Sequence, residues 1–287
     1  MTPFKATPAA TKLHCWVCGK NVERFLYYGI PERLGKCPHC GAKPRYRAVI
    51  WCLRRLLTPC LDDRARVLEV GASALSARYY PRPENLGGAS YTVIDTRQML
   101  HHELLSSPHR FLHGDITNNN LPSNHYDLVL CNNTLPYVFD YWRALREIRR
   151  VLKPTGIAML NTHWQAGPTL TAVEHRRRHP QLKAAYYAEN GDQWAFGEDF
   201  LQRVREAGFE RQAWKPYHCL NEAYLVRNGL KRETVLVLAW KTRAAEKTLR
   251  DAVENLAHPA PKTSGDHSAN SRLSNRDSVP LSPIAHL

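Results

Sequence analysis

Between residues 64 and 243 short apolar runs alternate with stretches whose apolar positions recur at helical spacing. The apolar runs are Arg66–Val70, Ser90–Asp95, Arg110–His113, Tyr126–Cys131, Gly156–Asn161, Glu210–Tyr217 and Glu233–Trp240, and each predicts a strand. Tyr141, Leu145, Ile148 and Leu152 fall on one face of a helix over Tyr141–Leu152. Arg143, Arg146, Arg150 and Lys153 fall on the other, as a solvated face. Pro154 biases Lys153 away from helical geometry and closes the element. A second helix from about Glu198 to Ala207 meets Gly208 as its left-handed stop. Strand–helix alternation of this kind predicts an α/β, doubly wound, mostly parallel sheet with helices on both faces.

The flanks read differently. Residues 1–50 hold two close cysteine pairs among turn residues. Trp51 to Asp62 reads as a connecting helix, because Ile50, Leu53, Leu56 and Leu57 recur at helical spacing. A last helix from about residue 244 gives way to residues 258–287, rich in Ser, Pro, Asn and His and lacking Phe, Tyr and Trp, a composition expected to stay disordered. The predicted organisation is therefore a metal ribbon over 1–50, a connecting helix over 51–63, the main domain over 64–243, and a terminal helix and tail over 244–287.

Cysteine spacing introduces the first chemistry. Cys15-Trp16-Val17-Cys18-Gly19 is followed after a gap by Cys37-Pro38-His39-Cys40-Gly41. Two residues between cysteines let both thiolates point into one tight turn, and the glycine after each pair permits the positive φ of such a knuckle. Two knuckles supply four sulfurs, the set for tetrahedral Zn2+ at Cys15, Cys18, Cys37 and Cys40. Four protein ligands leave no open position, so this metal is expected to be structural and to supply the folding energy of a segment too small for its own core. On this reading, Cys37→Ser unfolds the ribbon and spares cofactor binding by the sheet. The other cysteines, Cys52, Cys60, Cys131 and Cys219, are scattered, unlike a disulfide scaffold.

Composition adds bounds. No run approaches the roughly 18 apolar residues that span a bilayer, and Met1 to Lys12 lacks the apolar core of a secretory signal. A cytoplasmic location is expected, with no membrane span and with the oligomeric state open. The formal net charge of +14 survives the thiolates of a zinc site as a basic surplus, which suits RNA, nucleotide-sugar or anionic-lipid partners without selecting one. Arg33, Lys36, Lys43, Arg45 and Arg47 of the ribbon segment could contact an acidic partner or simply be solvated.

Acidic residues stand where strands end. Glu69 lies in Val67-Leu68-Glu69-Val70-Gly71-Ala72-Ser73, where a strand turns at a glycine before a helix N-terminus. Asp95 closes the next strand, where a carboxylate can take both hydroxyls of a ribose. Asp115 in His113-Gly114-Asp115-Ile116 could accept a hydrogen bond from an exocyclic amine. Any one of these alone is more often a cap or turn residue; their joint order, with Tyr126–Asn132 and ALREIRRVLKPTGIAM at Ala144–Met159 following, carries the argument.

On these motifs residues 64–243 resemble the class I S-adenosylmethionine-dependent methyltransferases, whose sheet has seven strands and a Rossmann-like winding. The resemblance implies S-adenosyl-L-methionine as cofactor. It implies binding at Glu69, Gly71, Ala72 and Ser73 of the glycine loop, Asp95 on the ribose, Asp115 and Ile116 beside the adenine, and Asn132 after strand four. The knuckles followed by Pro44-Arg45-Tyr46-Arg47 and the stretch Phe196–Phe200 are similar to a bacterial subgroup with an N-terminal zinc ribbon, members of which serve glycan biosynthesis. This chain departs from the family pattern in two places. Ser73 and Leu75 replace loop glycines, and Asn133, Pro136 and Tyr137 replace a His-x-x-Glu-His stretch. Catalytic residues are therefore unassigned, with Tyr137 and His163 as candidates.

The long connection from Asn161 to Ala195 is expected to form a lid over the acceptor. It carries Trp164, Glu174, His175, the run Arg176–Arg178 that could clamp phosphate, His179, Lys183, Tyr186 and Tyr187. The function this supports is methyl transfer to a small-molecule or glycan substrate, at oxygen. Two alternatives stay open. One is an RNA methyltransferase gripping its substrate with ribbon and basic lid; the other is a catalytically inactive binding protein of the same fold.

Overall fold

The computed structural model describes residues 12–28, 33–97, 109–180, 191–215, 220–231 and 234–257. The expected lid residues Lys183, Tyr186 and Tyr187, together with Cys219 and the C-terminal tail, lie outside the described residues.

Two antiparallel hairpins open the chain. Strands β1 (Leu13–Cys15) and β2 (Lys20–Val22) pair across the first cysteine turn, and β3 (Leu26–Tyr28) pairs with β4 (Arg33–Lys36) ahead of the second. Helix α1 (Pro44–Cys52) follows and continues as a π-helical stretch over Leu53–Leu57 and a short turn over Thr58–Cys60. It begins well ahead of Trp51, where the periodicity placed its start. Pro44 sits in the first turn, where its missing N–H has no helical partner to lose. Ala48, Val49, Ile50, Trp51, Cys52 and Leu53 are all buried, so this stretch has no polar face for a periodicity to reveal.

The main sheet comprises β5 (Arg66–Val70), β6 (Ser90–Asp95), β7 (Arg110–His113), β8 (Tyr126–Asn132), β9 (Leu152–Asn161), β12 (Glu210–Trp214) and β13 (Leu236–Trp240). A separate small ladder joins β10 (Leu170–Thr171) to β11 (Trp194–Ala195). The seven strands lie in the order β12-β13-β9-β8-β5-β6-β7, with β13 antiparallel to both neighbours. The expected seven-stranded, doubly wound Rossmann-like sheet is present. The chain moves outward from β5 through β6 and β7, then returns to β8 on the other side of β5. The carboxyl ends of β5 and β8 thus flank the point where winding reverses, which is where such sheets bind ligands.

Strand β9 begins at Leu152 rather than Gly156. Leu152 pairs with Tyr126 and Ile157 with Leu128, so Lys153 to Gly156 loop out of register between them. Pro154 has no N–H to give a ladder, which fits a bulge.

Alternate residues of each strand face opposite layers. Val67, Tyr91, Val93, Leu128, Leu130 and Met159 join α1, the Leu53–Leu57 stretch and the terminal helix in one core. Leu68, Val70, Ile94, Val129, Cys131 and Leu160 face a second core with helix α4 (Tyr141–Val151) and the helix over Phe200–Glu206. The metal ribbon belongs to the first core. The Trp16 indole donates to the Arg47 carbonyl at 2.9 Å and stacks on Tyr224, and Trp51 stacks on Trp214. No helix among the described residues is long and apolar enough to cross a membrane.

Candidate functional site

The four knuckle cysteines converge. Their sulfurs lie within 4.8 Å of one another, with Cys15 Sγ 3.7 Å from Cys40 and Cys18 Sγ 3.9 Å from Cys37. Zinc–sulfur bonds of about 2.3 Å in a tetrahedron place sulfurs about 3.8 Å apart, so this cage fits Zn2+. Both knuckles close as the sequence implies. The Gly19 N–H donates to the Cys15 carbonyl and the Gly41 N–H to that of Cys37, with φ of 71° and 74° at the two glycines.

Arg47 supports the thiolate state. It is fully buried, donates to the carbonyls of Ala42, Gly35 and Gly229, and lies over the Phe25 ring at 4.3 Å. Burial pulls its pKa down, while the Cys15, Cys37 and Cys40 thiolates push it up. A buried charge needs a countercharge, and a four-thiolate zinc site, dianionic in total, would supply one; among the described residues no carboxylate pairs with Arg47.

The second feature is a cleft of about 770 Å³ at the carboxyl ends of β5 and β6. Gly71 and Ser73 from the loop after β5, Asp95 from β6, Asp115 and Ile116 after β7, and Asn132 from β8 all line it. Six of the eight expected cofactor positions are therefore brought to one cavity. Gly71 turns there with φ of +70°. A Cβ at that position would lie 2.4 Å from Thr134 Cγ2, so only glycine fits. Ser73 caps the short helix α2 (Ala74–Tyr79), its Oγ accepting from the Ser76 N–H at 3.1 Å, so a serine in place of a loop glycine serves the turn.

Asp95 is the pivotal carboxylate. Its side chain is 3% exposed, and Arg97 clamps it, Nε donating to Oδ1 at 3.0 Å and Nη2 to Oδ2 at 2.7 Å. Arg97 itself is 56% exposed and so has room to move. Asp115 accepts from the N–H and hydroxyl of Thr117, both through Oδ1 at 2.8 Å.

A family model for a methyltransferase domain matches residues 68–160, the stretch from β5 through β9 that builds this cleft. The domain is methyltransferase-like. Among curated proteins none matches the chain. Among solved structures it is similar to the 1,6-didemethyltoxoflavin-N1-methyltransferase of Burkholderia thailandensis at 17% identity, covering 69% of this chain and 78% of that one with a TM-score of 0.47. An S-adenosylmethionine-dependent methyltransferase from Mesorhizobium loti is 16% identical, over 64% of this chain and 94% of that one, with a TM-score of 0.45. The [4+2]-cyclase SpnF is 17% identical, over 83% and 76%, with a TM-score of 0.46.

Two expected contacts of the methyltransferase-like cleft lie elsewhere. Ala72 is buried behind the loop, its carbonyl accepting from Arg97 at 3.1 Å. Glu69 faces the first core, on the opposite side of β5 from Leu68 and Val70. There it accepts from the Tyr91 hydroxyl and neighbours Ser76. Complete burial lifts its carboxyl to about 8, against smaller lowering contributions from those two hydroxyls. Glu69 is thus a neutral acid of the core at neutral pH, and strand alternation explains why it misses the cleft.

A third feature adjoins the cleft. A chamber of about 400 Å³ lies between the start of α1 and the ends of β8 and β9. Arg45, Tyr46, Asn132 and Asn133 line both cavities and form the wall between them. The two catalytic candidates divide accordingly: Tyr137 lines the larger cleft and His163 the chamber. Burial and the neighbouring Asp192 raise the Tyr137 hydroxyl. Arg45 Nη1 donates to His163 Nε2 at 2.8 Å, which fixes that nitrogen as the unprotonated one.

Of the expected lid, Trp164 reaches the chamber and packs on Phe200. Arg176–Arg178 close helix α5 (Ala172–Arg178) and line neither cavity. His175 is buried against His179. Sequence reasoning noted Arg45 as a basic residue of the ribbon but gave it no site, and it missed Tyr28, Tyr80, Thr162 and Lys231 in the chamber altogether. The one available signal was Pro44-Arg45-Tyr46-Arg47 directly after the second knuckle, where the helix start swings back over the sheet.

Proposed function

We propose that this protein is an S-adenosylmethionine-dependent methyltransferase acting on a small-molecule or glycan acceptor, at oxygen. The observation that carries the reading is the pairing of two cavities across one wall. A cleft with a ribose-competent carboxylate lies beside a smaller chamber holding the His163 imidazole.

Asp95 is the residue to hold the ribose hydroxyls, once Arg97 shares or yields its oxygens. Ile94 and Ile116 offer apolar walls, and Asp115 an acceptor for an exocyclic amine. When bound, the cofactor supplies a methyl group on a sulfonium, which leaves as a neutral thioether. The chain's part is therefore mainly to align donor and acceptor and to exclude water. His163 Nε2 is placed to take a hydroxyl proton from an acceptor in the chamber when Arg45 releases it. A chamber of about 400 Å³ favours a small acceptor over a helical nucleic acid.

Calorimetry with S-adenosylmethionine tests the cleft. Incubation with methyl-labelled cofactor and fractionated extract tests the acceptor class. Label in the small-molecule or glycan fraction supports the reading; label in RNA transfers it to the RNA methyltransferase class. No binding at millimolar cofactor overturns it.

A further inference from the structure

Three residues that line the chamber each carry a buried polar atom without a partner. Tyr80 Oη, Asn132 Nδ2 and Thr162 Oγ1 have no exposed surface to speak of and no hydrogen-bond partner among the described residues. All three residues line the chamber, and Tyr80 is 0% exposed. Buried polar groups in folded proteins are nearly always paired, so unpaired ones in the residues that line the chamber leave pairing for a ligand to complete, once a small side-chain shift exposes them. The set comprises one amide donor and two hydroxyls, able to serve ring hydroxyl or ether oxygens.

The electrostatics are one-sided. Arg45 and Lys231 bring positive charge to the chamber, and no Asp or Glu lines it among the described residues. The guanidinium of Arg45 has His163 and the Tyr46 ring as its contacts, neither of them an anion. Tyr28, Tyr46 and Trp164 supply flat apolar surface in the same cavity. Tyr28 comes from the ribbon, and Arg45 and Tyr46 from the first turns of α1.

We propose that the chamber binds a small ring-bearing organic anion as methyl acceptor, with its phosphate or carboxylate held by Arg45 and Lys231. Its ring lies between the tyrosines and Trp164, with its hydroxyls on Tyr80, Asn132 and Thr162. The inference rests on the methyltransferase reading for the word acceptor, and on the chamber alone for the binding of an anion. It gives the zinc ribbon a purpose: the ribbon and its following helix form one side of the substrate site. It also links binding to chemistry. An anion that draws Arg45 away removes the guanidinium from His163 Nε2 when substrate is present.

The test uses the full-length, zinc-loaded protein and calorimetry with phenyl phosphate, 4-hydroxybenzoate and uncharged phenol. Phenyl phosphate or 4-hydroxybenzoate should bind at least about tenfold tighter than phenol, and the stronger of the two names the anionic group. Arg45→Gln should erase that preference, the loss expected for a charge-assisted contact. Tyr80→Phe should weaken 4-hydroxybenzoate and phenol severalfold, leave phenyl phosphate little changed and keep the preference for 4-hydroxybenzoate over phenol intact, a pattern that global misfolding does not give. Equal binding of phenol and the anions, or an undiminished preference in Arg45→Gln, overturns the proposal. S-adenosylmethionine is titrated separately. If it binds while no anion does, the inference fails and the methyltransferase reading stands. If anions bind and it does not, the reading of the cleft fails and the anion site stands.

Discussion

Glu69 offers the sharpest test of the structure, because its environment makes a prediction that runs against the usual behaviour of carboxylates. Its carboxyl sits at about 8 in the folded protein, against 4.5 when unperturbed, chiefly through burial. Below pH 4.5 the group is protonated whether the chain is folded or not. As pH rises past that point the unfolded chain releases the proton while the folded chain keeps it. The folded state then binds more protons, so stability falls with rising pH until the folded group itself ionises. The loss accumulates to about 5 kcal/mol between pH 4.5 and pH 8, at a slope of about 1.4 kcal/mol per pH unit. Glu69→Gln keeps the shape and the acceptor for Tyr91 while removing the titration. Urea unfolding of both proteins at intervals from pH 5 to pH 9 should show the variant gaining on the parent by several kcal/mol, then levelling above pH 8. Other pH-dependent groups, the zinc thiolates included, cancel in the difference. Parallel curves would mean that Glu69 is ionised in the folded protein and solvated, and the reading of it as a neutral core acid would be wrong.

Asp95→Ala should weaken S-adenosylmethionine binding by at least about tenfold in calorimetry, since it removes the ribose acceptor and two charge-assisted bonds; unchanged affinity would show that the ribose lies elsewhere. Arg97→Ala should tighten the same binding severalfold by taking the guanidinium off both Asp95 oxygens, and weaker binding would make Arg97 a cofactor ligand instead. Gly71→Ala, with φ of +70° and a Cβ 2.4 Å from Thr134, should lower stability by about 1–3 kcal/mol and impair cofactor binding, seen as a lower melting temperature and a weaker calorimetric signal. Cys37→Ser should lose zinc by metal analysis and open the ribbon to limited proteolysis.

Legibility followed exposure of pattern. The central strands β5, β6, β8 and β9 stood out because parallel strands buried on both faces read as short apolar runs, whereas β7 at the sheet edge is largely exposed. The cysteine cage was fixed by local spacing, since both halves of each knuckle lie within one turn. Asp95, Asp115 and Ile116 could be placed together at one cavity because they occupy strand ends in a known order. What escaped was of two kinds. Helix α1 is apolar on nearly every side, so periodicity placed its start too late, and with it went Arg45 and Tyr46 as site residues. The chamber draws on Tyr28, Tyr80, Thr162 and Lys231, which are far apart in sequence and follow no spacing rule. Glu69, which was not among those missed, lies on the core side: the motif names the strand but not the face, and one position of pleat separates cleft from core.

The sequence presented the ribbon as a module whose loss would leave the cleft intact, and the structure alters that expectation. Arg47 carries a charge into full burial between the metal knuckles and the carbonyl of Gly229. Its countercharge is the thiolate set, so loss of zinc with protonation of the sulfurs leaves an uncompensated guanidinium inside the first core. Relief requires Arg47 to move, and Arg47 is one helical turn into α1. Arg45 and Tyr46 precede it directly and form the wall between the two cavities. Metal loss therefore propagates to the substrate wall through a single short helix. On this argument Cys37→Ser should impair anion binding in the chamber more than cofactor binding in the cleft, whose floor of Gly71, Asp95 and Asp115 belongs to the sheet and its loops alone.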